Sequence, residues 1–458
     1  MCALSSSTRQ SITQLARRRP KSLIAGCVLV AITIALLIQH AVITNRTDAR
    51  VAKVREKGLP VTVAELNQSY TLPTGATNAA DFYVPAFASL AGNHTSSTNS
   101  PLFNKIKLGD SYPAHSIAFM NQWVADNQQT IELLHEGAQH PACRYPLDYD
   151  EENNAAPDHL PKLRQCMLLL TYDAWLRAES QDLDGAIHSL ESAMSAADSV
   201  TAEPDWIARL IRIAGHIDVV KRLEEILNRH TFNEPQLQRL RRLFEGRESP
   251  GNVRLPFAGS IGYGLIYFEN TFPLDPSRNR AMFTKTERAK ASFVRVESIT
   301  TGLWARDRDF YVETVARFID AVSKPFPAAL RECESIDDLV SAHFGESGHQ
   351  ISQIFLNTFS ELALREARRL ATLRVAQTAI AIERFRLAHD NAMSETLDEL
   401  VPEFLPDVLT DPFDGRPLRY RLLNPGYVIY SISTDGQDDR GDLDNVMGKK
   451  DDRFRMLR

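Results

Sequence analysis

The sequence contains few of the residue patterns that mark common enzyme and metal-binding classes. Only five of its 458 residues are cysteine, and no two of them stand closer than 23 positions apart. This spacing excludes Cys-x-x-Cys redox and zinc motifs. No two of the twelve histidines are four residues apart, the spacing with which metal hydrolases present two ligands on one helix face. Phosphate-binding Gly-x-x-x-x-Gly-Lys and dinucleotide-binding Gly-x-Gly-x-x-Gly loops are also missing, so no nucleotide-dependent class is indicated.

Charge is absent from one stretch and unevenly spread over the rest. Residues 22–43 carry no charged side chain, and the 21 residues before them carry five basic residues and no acid. The whole chain has a net charge of −6, so residues 44–458 sum to −11 once the +5 of this tail is removed. Such an acidic bulk argues against nucleic acid as a partner, because phosphate-backbone binding needs clustered Lys and Arg.

The uncharged stretch predicts a membrane-spanning helix. Residues 22–43 would form a helix about 33 Å long, enough to cross a hydrocarbon core of about 30 Å. A cleavable signal peptide has a shorter apolar core followed by small residues, and Gln39–Ile43 offers no such cleavage site. Ile24–Cys27 looks like a lipoprotein motif, but almost no apolar stretch precedes its cysteine. We therefore expect an uncleaved anchor.

The basic tail predicts the orientation of this anchor. By the positive-inside rule, residues 1–21 stay in the cytoplasm and residues 44–458 face the outer side of a bacterial cytoplasmic membrane. Cys143 and Cys166 would then lie in an oxidising compartment, where a disulfide is able to form. The alternative is that Cys166, on a predicted helix, is a small buried apolar residue without a partner.

The outer part of the chain is predicted to be mainly α-helical. After a polar stalk over residues 44–75, a helical domain covers residues 76–350. Apolar residues recur every three or four positions over Leu160–Ser180 and again from Ala186 to Ala196, and Asn233 provides the N-cap of a later helix. Successive helices with short breaks form an array of α-hairpins.

Two further segments of the outer part show different patterns. Residues 249–280 are punctuated by Pro and Gly and predict an irregular stretch. From residue 351 a long helix leads to the turn Asp411–Gly415, and apolar residues then alternate on both sides of Asn424–Gly426. This alternation predicts a two-stranded hairpin. Residues 351–458 are therefore expected to form a small α+β module.

The C-terminal series resembles the globular domain of the type II secretion major pseudopilins. The matching positions are the turn Asp411–Gly415, Tyr420, Tyr430-Ser431, Thr434–Gly436 and the acidic stretch Asp438–Asp444. The resemblance implies a long helix, a Tyr-containing hairpin and a calcium-binding loop. Pseudopilins carry their hydrophobic helix directly before this domain, whereas here the anchor lies far upstream. The whole chain also resembles membrane-anchored bacterial proteins that share this ending.

The acidic loop is the candidate metal site. Five aspartates lie within ten residues, and together with backbone carbonyls they can supply the six to eight oxygens that calcium prefers. These residues are Asp435, Asp438, Asp439, Asp442 and Asp444. The spacing is not that of an EF-hand. The alternative is a solvated acidic surface.

These observations predict a membrane-anchored scaffold or protein-interaction module with a protein partner. The first alternative is a membrane-bound hydrolase, for which Ser260, His343 and His349 are the candidate catalytic residues. Ser260 lies in an Ala-x-Ser-x-Gly sequence similar to a nucleophile elbow, although Pro256 occupies the place of the strand that such an elbow requires. The second alternative is an accessory subunit of a type II secretion-like machine.

Overall fold

A single long helix begins the part of the chain that the computed structural model describes. Helix α1 (Pro20–Glu56) has 37 residues. From Ile24 onward it is long and apolar enough to cross a membrane, with a mean hydropathy of 2.3, and only 6% of its apolar window is buried in the protein. The prediction of one N-terminal apolar helix is confirmed. The helix continues past Ile43, the predicted end of the anchor, without a break.

The structure describes residues 20–92, 108, 111–149, 158–248, 253–271, 302–343, 350–356, 358–441 and 452–457. The chain divides into two compact units. Unit 1 comprises Met1–Lys57, Gly264–Ala316 and Leu339–Asn357. Unit 2 comprises Gly58–Tyr263, Arg317–Asp338 and Thr358–Arg458.

Among the described residues, unit 1 contains α1, parts of three helices that also contribute residues to unit 2, and the whole of a fourth helix. These helices are α10 (Arg254–Thr271), α11 (Leu303–Ala321), α12 (Ala328–His343) and α13 (Gln350–Leu356). Within this unit, the buried carboxylate of Asp309 forms ion pairs with Arg46 and Arg50 of α1 and accepts a hydrogen bond of 3.0 Å from Thr47 Oγ1. These polar contacts fix α11 against α1.

Unit 2 begins with the helical array that the sequence predicts. Its helices in this region are α2 (Val63–Ser69), α3 (Ala80–Ser89), α4 (Ala114–Asp126), α5 (Gln128–Gly137), α6 (His159–Glu179), α7 (Leu183–Asp198), α8 (Trp206–Arg229) and α9 (Glu234–Arg242). The apolar stripes of α6 and α7 are buried, and Cys166 lies among them as a free thiol with no exposed surface. Asn233 is the N-cap of α9, as predicted, in a capping box with Gln236.

The C-terminal segment continues the core of unit 2. Helix α14 (Phe359–Ala388) is buried along most of its length and is followed by a short 3-10 helix, Leu397–Leu400. Three antiparallel strands then form a sheet in the order β1 (Arg419–Leu422), β2 (Tyr427–Ser431) and β3 (Asp452–Met456). The sheet and the helical array share one hydrophobic core. The predicted boundary at residue 351 therefore does not separate the sheet from the preceding helices.

The hairpin prediction was incomplete, because a third strand follows the acidic loop. In β3 the buried residues Phe454 and Met456 alternate with Arg453 and Arg455. Two apolar residues among charged ones give too weak a period-two pattern to indicate a strand. The coarser prediction, a mainly helical chain with a small antiparallel sheet, is confirmed.

The prediction of an irregular stretch over residues 249–280 was wrong where α10 lies. Its glycines serve close helix packing instead of turns. A Cβ on Gly259 would lie 2.3 Å from the carbonyl oxygen of Pro204, and one on Gly264 would lie 2.3 Å from the ring of Tyr311. Only glycine fits at such distances. Pro256 stands in the first turn of the helix, where its missing N–H removes no intrahelical bond.

The segment predicted as a polar stalk, residues 44–75, also carries regular structure. It holds the end of α1 and the whole of α2. Val61 and Leu66 have no exposed surface, and Thr62 caps α2 by accepting a hydrogen bond from Glu65 N. Much of this segment is thus folded.

Candidate functional site

Two of the three candidate hydrolase residues, Ser260 and His343, lie among the described residues, and both are engaged in local structure. Ser260 lies inside α10 and is nearly buried; its Oγ donates to the carbonyl oxygen of Pro256 at 2.7 Å and accepts from Trp206 Nε1 at 2.5 Å. The hydroxyl proton is therefore engaged by the helix backbone. His343, at the end of α12, has Nδ1 2.8 Å from Leu339 O and stacks on Phe310. His349 lies outside the described residues.

The acidic loop is described over its first part only. Asp435 and Asp438 each accept a hydrogen bond from the backbone N–H two residues later, at 3.1 and 2.9 Å. These are Asx turns, which shape the backbone of the loop locally. Asp439 is half-buried, whereas Asp442 and Asp444 lie outside the described residues. Among the residues that the structure describes, no group of three metal-binding side chains is placed together.

Asp411 is the best-connected side chain of the predicted turn. Its fully buried carboxylate accepts hydrogen bonds from Ser431 Oγ and Ile432 N, both at 2.9 Å, and from Phe413 N at 3.0 Å. Arg419 Nη1 of β1 completes the set at 2.6 Å. One carboxylate thus joins the turn, the first residue of β1 and the end of β2. The sequence located this turn but not the role of its aspartate.

A second buried aspartate holds the beginning of β3. Asp452 accepts a hydrogen bond from Ser433 Oγ at 2.9 Å and forms an ion pair with Arg368 of α14 at 2.7 Å. Burial raises the pKa of Asp452, and the nearby Arg368 counteracts part of this rise. The third strand is therefore tied both to the end of β2 and to the long helix.

Helix α8 binds the free edge of the sheet through two side chains. Glu224 Oε1 accepts from Arg455 N at 2.6 Å. Asn228 Nδ2 donates to Arg455 O at 2.8 Å, and Asn228 Oδ1 accepts from Leu457 N at 2.6 Å. These contacts imitate the hydrogen bonds of a neighbouring strand. They give hydrogen-bond partners to backbone groups at the edge of the sheet, which would otherwise be open for pairing with another chain.

Buried charges connect α8 to α14. Glu366 forms an ion pair with Arg209 of α8 and accepts from Arg369 Nε at 2.8 Å, and all three side chains are nearly without exposed surface. Burial acts to raise the pKa of Glu366, but the guanidinium groups outweigh it and bring this pKa to about 2. Burial lowers the pKa of Arg209 to about 10 in spite of Glu366. Glu366 is therefore ionised at neutral pH.

The same network continues to the end of α7. Asp198 Oδ1 lies 2.9 Å from Arg212 Nε and 3.0 Å from His216 Nε2, and Asp198 Oδ2 lies 2.6 Å from Arg247 Nε. Burial lowers the pKa of His216 to about 4, so the imidazole is neutral at pH 7. Burial acts to raise the pKa of Asp198, but the hydrogen bond with His216 and the charges of Arg212 and Arg247 hold this pKa well below the usual range. The network ties three helices of unit 2 together.

One small cavity lies at the end of α14. Its volume is about 50 Å³, and Glu383, Arg386 and Asn391 provide its polar wall. Glu383 is already occupied, because its carboxylate accepts from Tyr427 Oη at 2.9 Å and from Arg386 Nη1 at 2.7 Å. The space admits a few water molecules. It is too small for an organic substrate.

Sequence reasoning missed the residues that organise unit 2. The sequence predicted Asp411 only as part of a turn, and it predicted no role for the charged residues of α8 and α14. One pattern could have found the latter: Arg209, Arg212 and His216 follow helical spacing on one face. Comparison of the chain with known protein families, curated protein sequences and solved structures finds no match.

Proposed function

We propose that this chain is a membrane-anchored scaffold that holds a helical interaction module at the outer face of a bacterial cytoplasmic membrane. The carrying observation is the continuity of α1. Its apolar side chains from Ile24 to Val42 are largely exposed, whereas Ile43, Thr47 and Val51 are buried. One continuous helix thus has a first part with exposed apolar side chains, suited to lipid, and a second part packed against protein. No flexible joint separates the two parts. A continuous helix of this kind suits a protein whose unit 1 must stay at a fixed distance from the membrane.

The charges around the span support the proposed orientation. The tail before the span carries five basic residues and no acid. Arg46 and Arg50 follow the span, but both form ion pairs with Asp309, and Arg50 also pairs with Glu313 at 2.5 Å. Their positive charge is locally neutralised. In all, residues 44–57 sum to +3 against +5 for the tail. The larger positive excess therefore lies on the tail side, which the positive-inside rule assigns to the cytoplasm.

A binding role accounts for the described side chains better than hydrolysis does. A serine nucleophile needs a base that accepts its proton. Ser260 Oγ instead donates to Pro256 O, within its own helix. His343 Nδ1 is likewise held by the backbone oxygen of Leu339. These two residues serve local structure, which favours the scaffold.

Cross-linking in intact membranes, followed by mass spectrometry, tests the scaffold proposal. The full chain is compared with Arg229→Glu, a variant that keeps the anchor and replaces a half-buried ion pair of unit 2 with two like charges, because the new side chain and Glu179 are both acidic. One reproducible protein partner supports the proposal. Turnover of a hydrolase substrate panel by the purified full chain, abolished by Ser260→Ala, would contradict it.

An accessory role in a type II secretion-like machine is the second candidate. The observation that favours it is the locked C-terminal sheet, since Asp411 of the pseudopilin-like turn joins β1 to the end of β2. In this role the partner would be a set of pseudopilins on the same membrane face. Co-purification of pseudopilins with the full chain supports this candidate, and their absence from a cross-linked complex that contains another partner excludes it.

A further inference from the structure

The burial pattern of α1 marks where the folded part of unit 1 begins along the anchor. Exposed apolar side chains extend from Ile24 to Val42, which is about 27 Å of helix at 1.5 Å per residue. This length nearly fills a hydrocarbon core of about 30 Å. The first buried residue is Ile43, and burial then recurs at Thr47 and Val51. Folded protein therefore starts directly at the predicted membrane boundary.

Helix α11 runs beside α1 in the same direction from this boundary. Its first turn carries Trp304, whose ring stacks on His40 with centroids 6.4 Å apart and planes 19° apart. Its next turns bring Asp309 to Thr47 and Arg50. The earlier residue of α11, Trp304, contacts the earlier part of α1, and the later residue, Asp309, contacts its later part. The two helices therefore run parallel. Trp304 lies on the bilayer side of the packed unit, about one helical turn below Ile43.

The end of α10 reaches the same level. Trp304 Nε1 donates to the carbonyl oxygen of Phe268 at 3.3 Å, and the two rings meet edge to face. Phe268 lies in the last described turn of α10. The adjacent side chains of Ile266 and Tyr267 are each 38% exposed. Trp304, Ile266 and Tyr267 therefore form an aromatic and aliphatic rim on one side of α1, near the last turn of the apolar span.

We propose that this rim, formed by Trp304, Ile266 and Tyr267, is a lipid-contacting surface that rests in the headgroup layer of the membrane holding the anchor. This inference depends on the proposed membrane anchoring. Its occupant follows from continuity, because His40 belongs to the last turn of the apolar span and stacks directly on Trp304. Tryptophan and tyrosine prefer the membrane interface, where the ring meets hydrocarbon and the polar atom meets water or protein. This surface of unit 1 would then rest on the bilayer.

Quenching of tryptophan fluorescence by brominated lipid tests the rim. The full chain is reconstituted in phosphatidylcholine vesicles, with or without bromine on acyl carbons close to the headgroup. Four tryptophans are present, so quenching of Trp304 alone removes up to about a quarter of the emission. We expect this loss in the unmodified protein and its disappearance in Trp304→Phe. The control Trp206→Phe changes a residue of unit 2 that contacts Ser260 and should retain the loss.

Two results would contradict the proposed contact between the rim and lipid. The first is the absence of quenching in the unmodified protein, which does not depend on how any variant folds. The second is quenching that persists in Trp304→Phe. Alkaline extraction of the same vesicles separates this inference from the anchor. A protein that stays in the membrane but shows no quenching keeps its anchor and lacks the rim, whereas a protein that is released contradicts the proposed anchoring itself.

Discussion

Asp411 joins three parts of the C-terminal segment through one buried carboxylate. Replacing it with alanine leaves Arg419 without one partner and removes the acceptors of Ser431 and Ile432. Breaking a buried ion pair typically costs about 3–5 kcal/mol. We expect Asp411→Ala to lower the free energy of unfolding by about this amount in urea titrations of the full chain in detergent.

The neighbouring Asp414 provides the matched control for this prediction. It pairs with the same Arg419, but its side chain is 21% exposed. Ion pairs with solvent access contribute about 1 kcal/mol or less. Asp414→Ala should therefore change stability much less than Asp411→Ala. Equal losses in the two variants would contradict the role assigned to Asp411.

Glu224 should make stability depend on pH. Burial raises its pKa to about 7, although the hydrogen bond from Arg455 N and the charge of Arg453 act in the opposite direction. The ordinary value is 4.5, so between about pH 4.5 and about pH 7 the folded chain holds a proton that the unfolded chain has released. The free energy of unfolding therefore falls as pH rises through this range.

Glu224→Gln tests this dependence, because glutamine does not titrate. We expect the variant to lose part of the pH slope of the urea midpoint between about pH 4.5 and about pH 7. Glu245→Gln, which changes an exposed residue of unit 2, should keep the full slope. An unchanged slope in Glu224→Gln would show that the carboxylate titrates near its ordinary pKa.

At the scale of elements, α8 acts as the missing neighbour of β3. Asn228 forms two hydrogen bonds with the strand, to Arg455 O and from Leu457 N. We expect Asn228→Ala to cost about 1–3 kcal/mol, since it leaves backbone groups without partners. Hydrogen exchange should show faster exchange at the amide of Leu457.

The control for this element is Asn121→Ala. Asn121 is exposed on α4 and donates only within its own helix, to Ile117 O at 3.0 Å. Exchange at Leu457 should be unaffected by this change. If both variants leave Leu457 equally protected, the side chains of α8 do not hold the strand.

The sequence predicted elements well where one physical pattern dominated. Leu160–Ser180 repeats apolar residues at helical spacing, and Asn233 caps α9 as expected. Prediction failed where one residue type is common in two different kinds of local structure. The glycines of α10 indicated a loop, but Gly259 and Gly264 instead permit close packing. Strand β3 escaped notice because its partners β2 and α8 are supplied only by the tertiary fold.

At the scale of the whole molecule, the C-terminal sheet cannot be tested apart from the helical array. Thr358–Arg458 belongs to unit 2 and shares its core. Calcium binding by the loop Asp435–Asp444 therefore has to be measured on the full chain. A cation that binds only the folded form adds about 2.7 kcal/mol at a hundredfold excess over its Kd. We expect calcium to raise the Tm and a chelator to reverse this rise.

A variant with Asp442→Ala and Asp444→Ala is the control for the calcium experiment. It should melt at the same temperature with calcium and with chelator. Magnesium should raise the Tm of the unmodified chain less, because it requires tighter octahedral geometry. A Tm that ignores calcium in the unmodified chain would identify the loop as a solvated acidic surface.

The candidate site was less predictable than the fold, for a physical reason. Sequence motifs indicate chemistry when neighbouring residues act together. Here the connected groups are distant in sequence, such as Glu366 with Arg209 and Asp411 with Ser431. Their partners are defined by packing between elements. Ser260 is the opposite case. Its neighbouring residues resemble a catalytic motif, but they lie within a helix and do not form a nucleophile elbow.

Reporter fusions test whether one span holds residues 44–458 on the outer side of the membrane. Alkaline phosphatase becomes active only outside the cytoplasm, whereas green fluorescent protein fluoresces inside it and stays dark when exported unfolded; each is fused after Arg458. We expect an active phosphatase fusion and a dark fluorescent fusion. A fluorescent fusion together with an inactive phosphatase fusion would place residues 44–458 in the cytoplasm and contradict the proposed orientation.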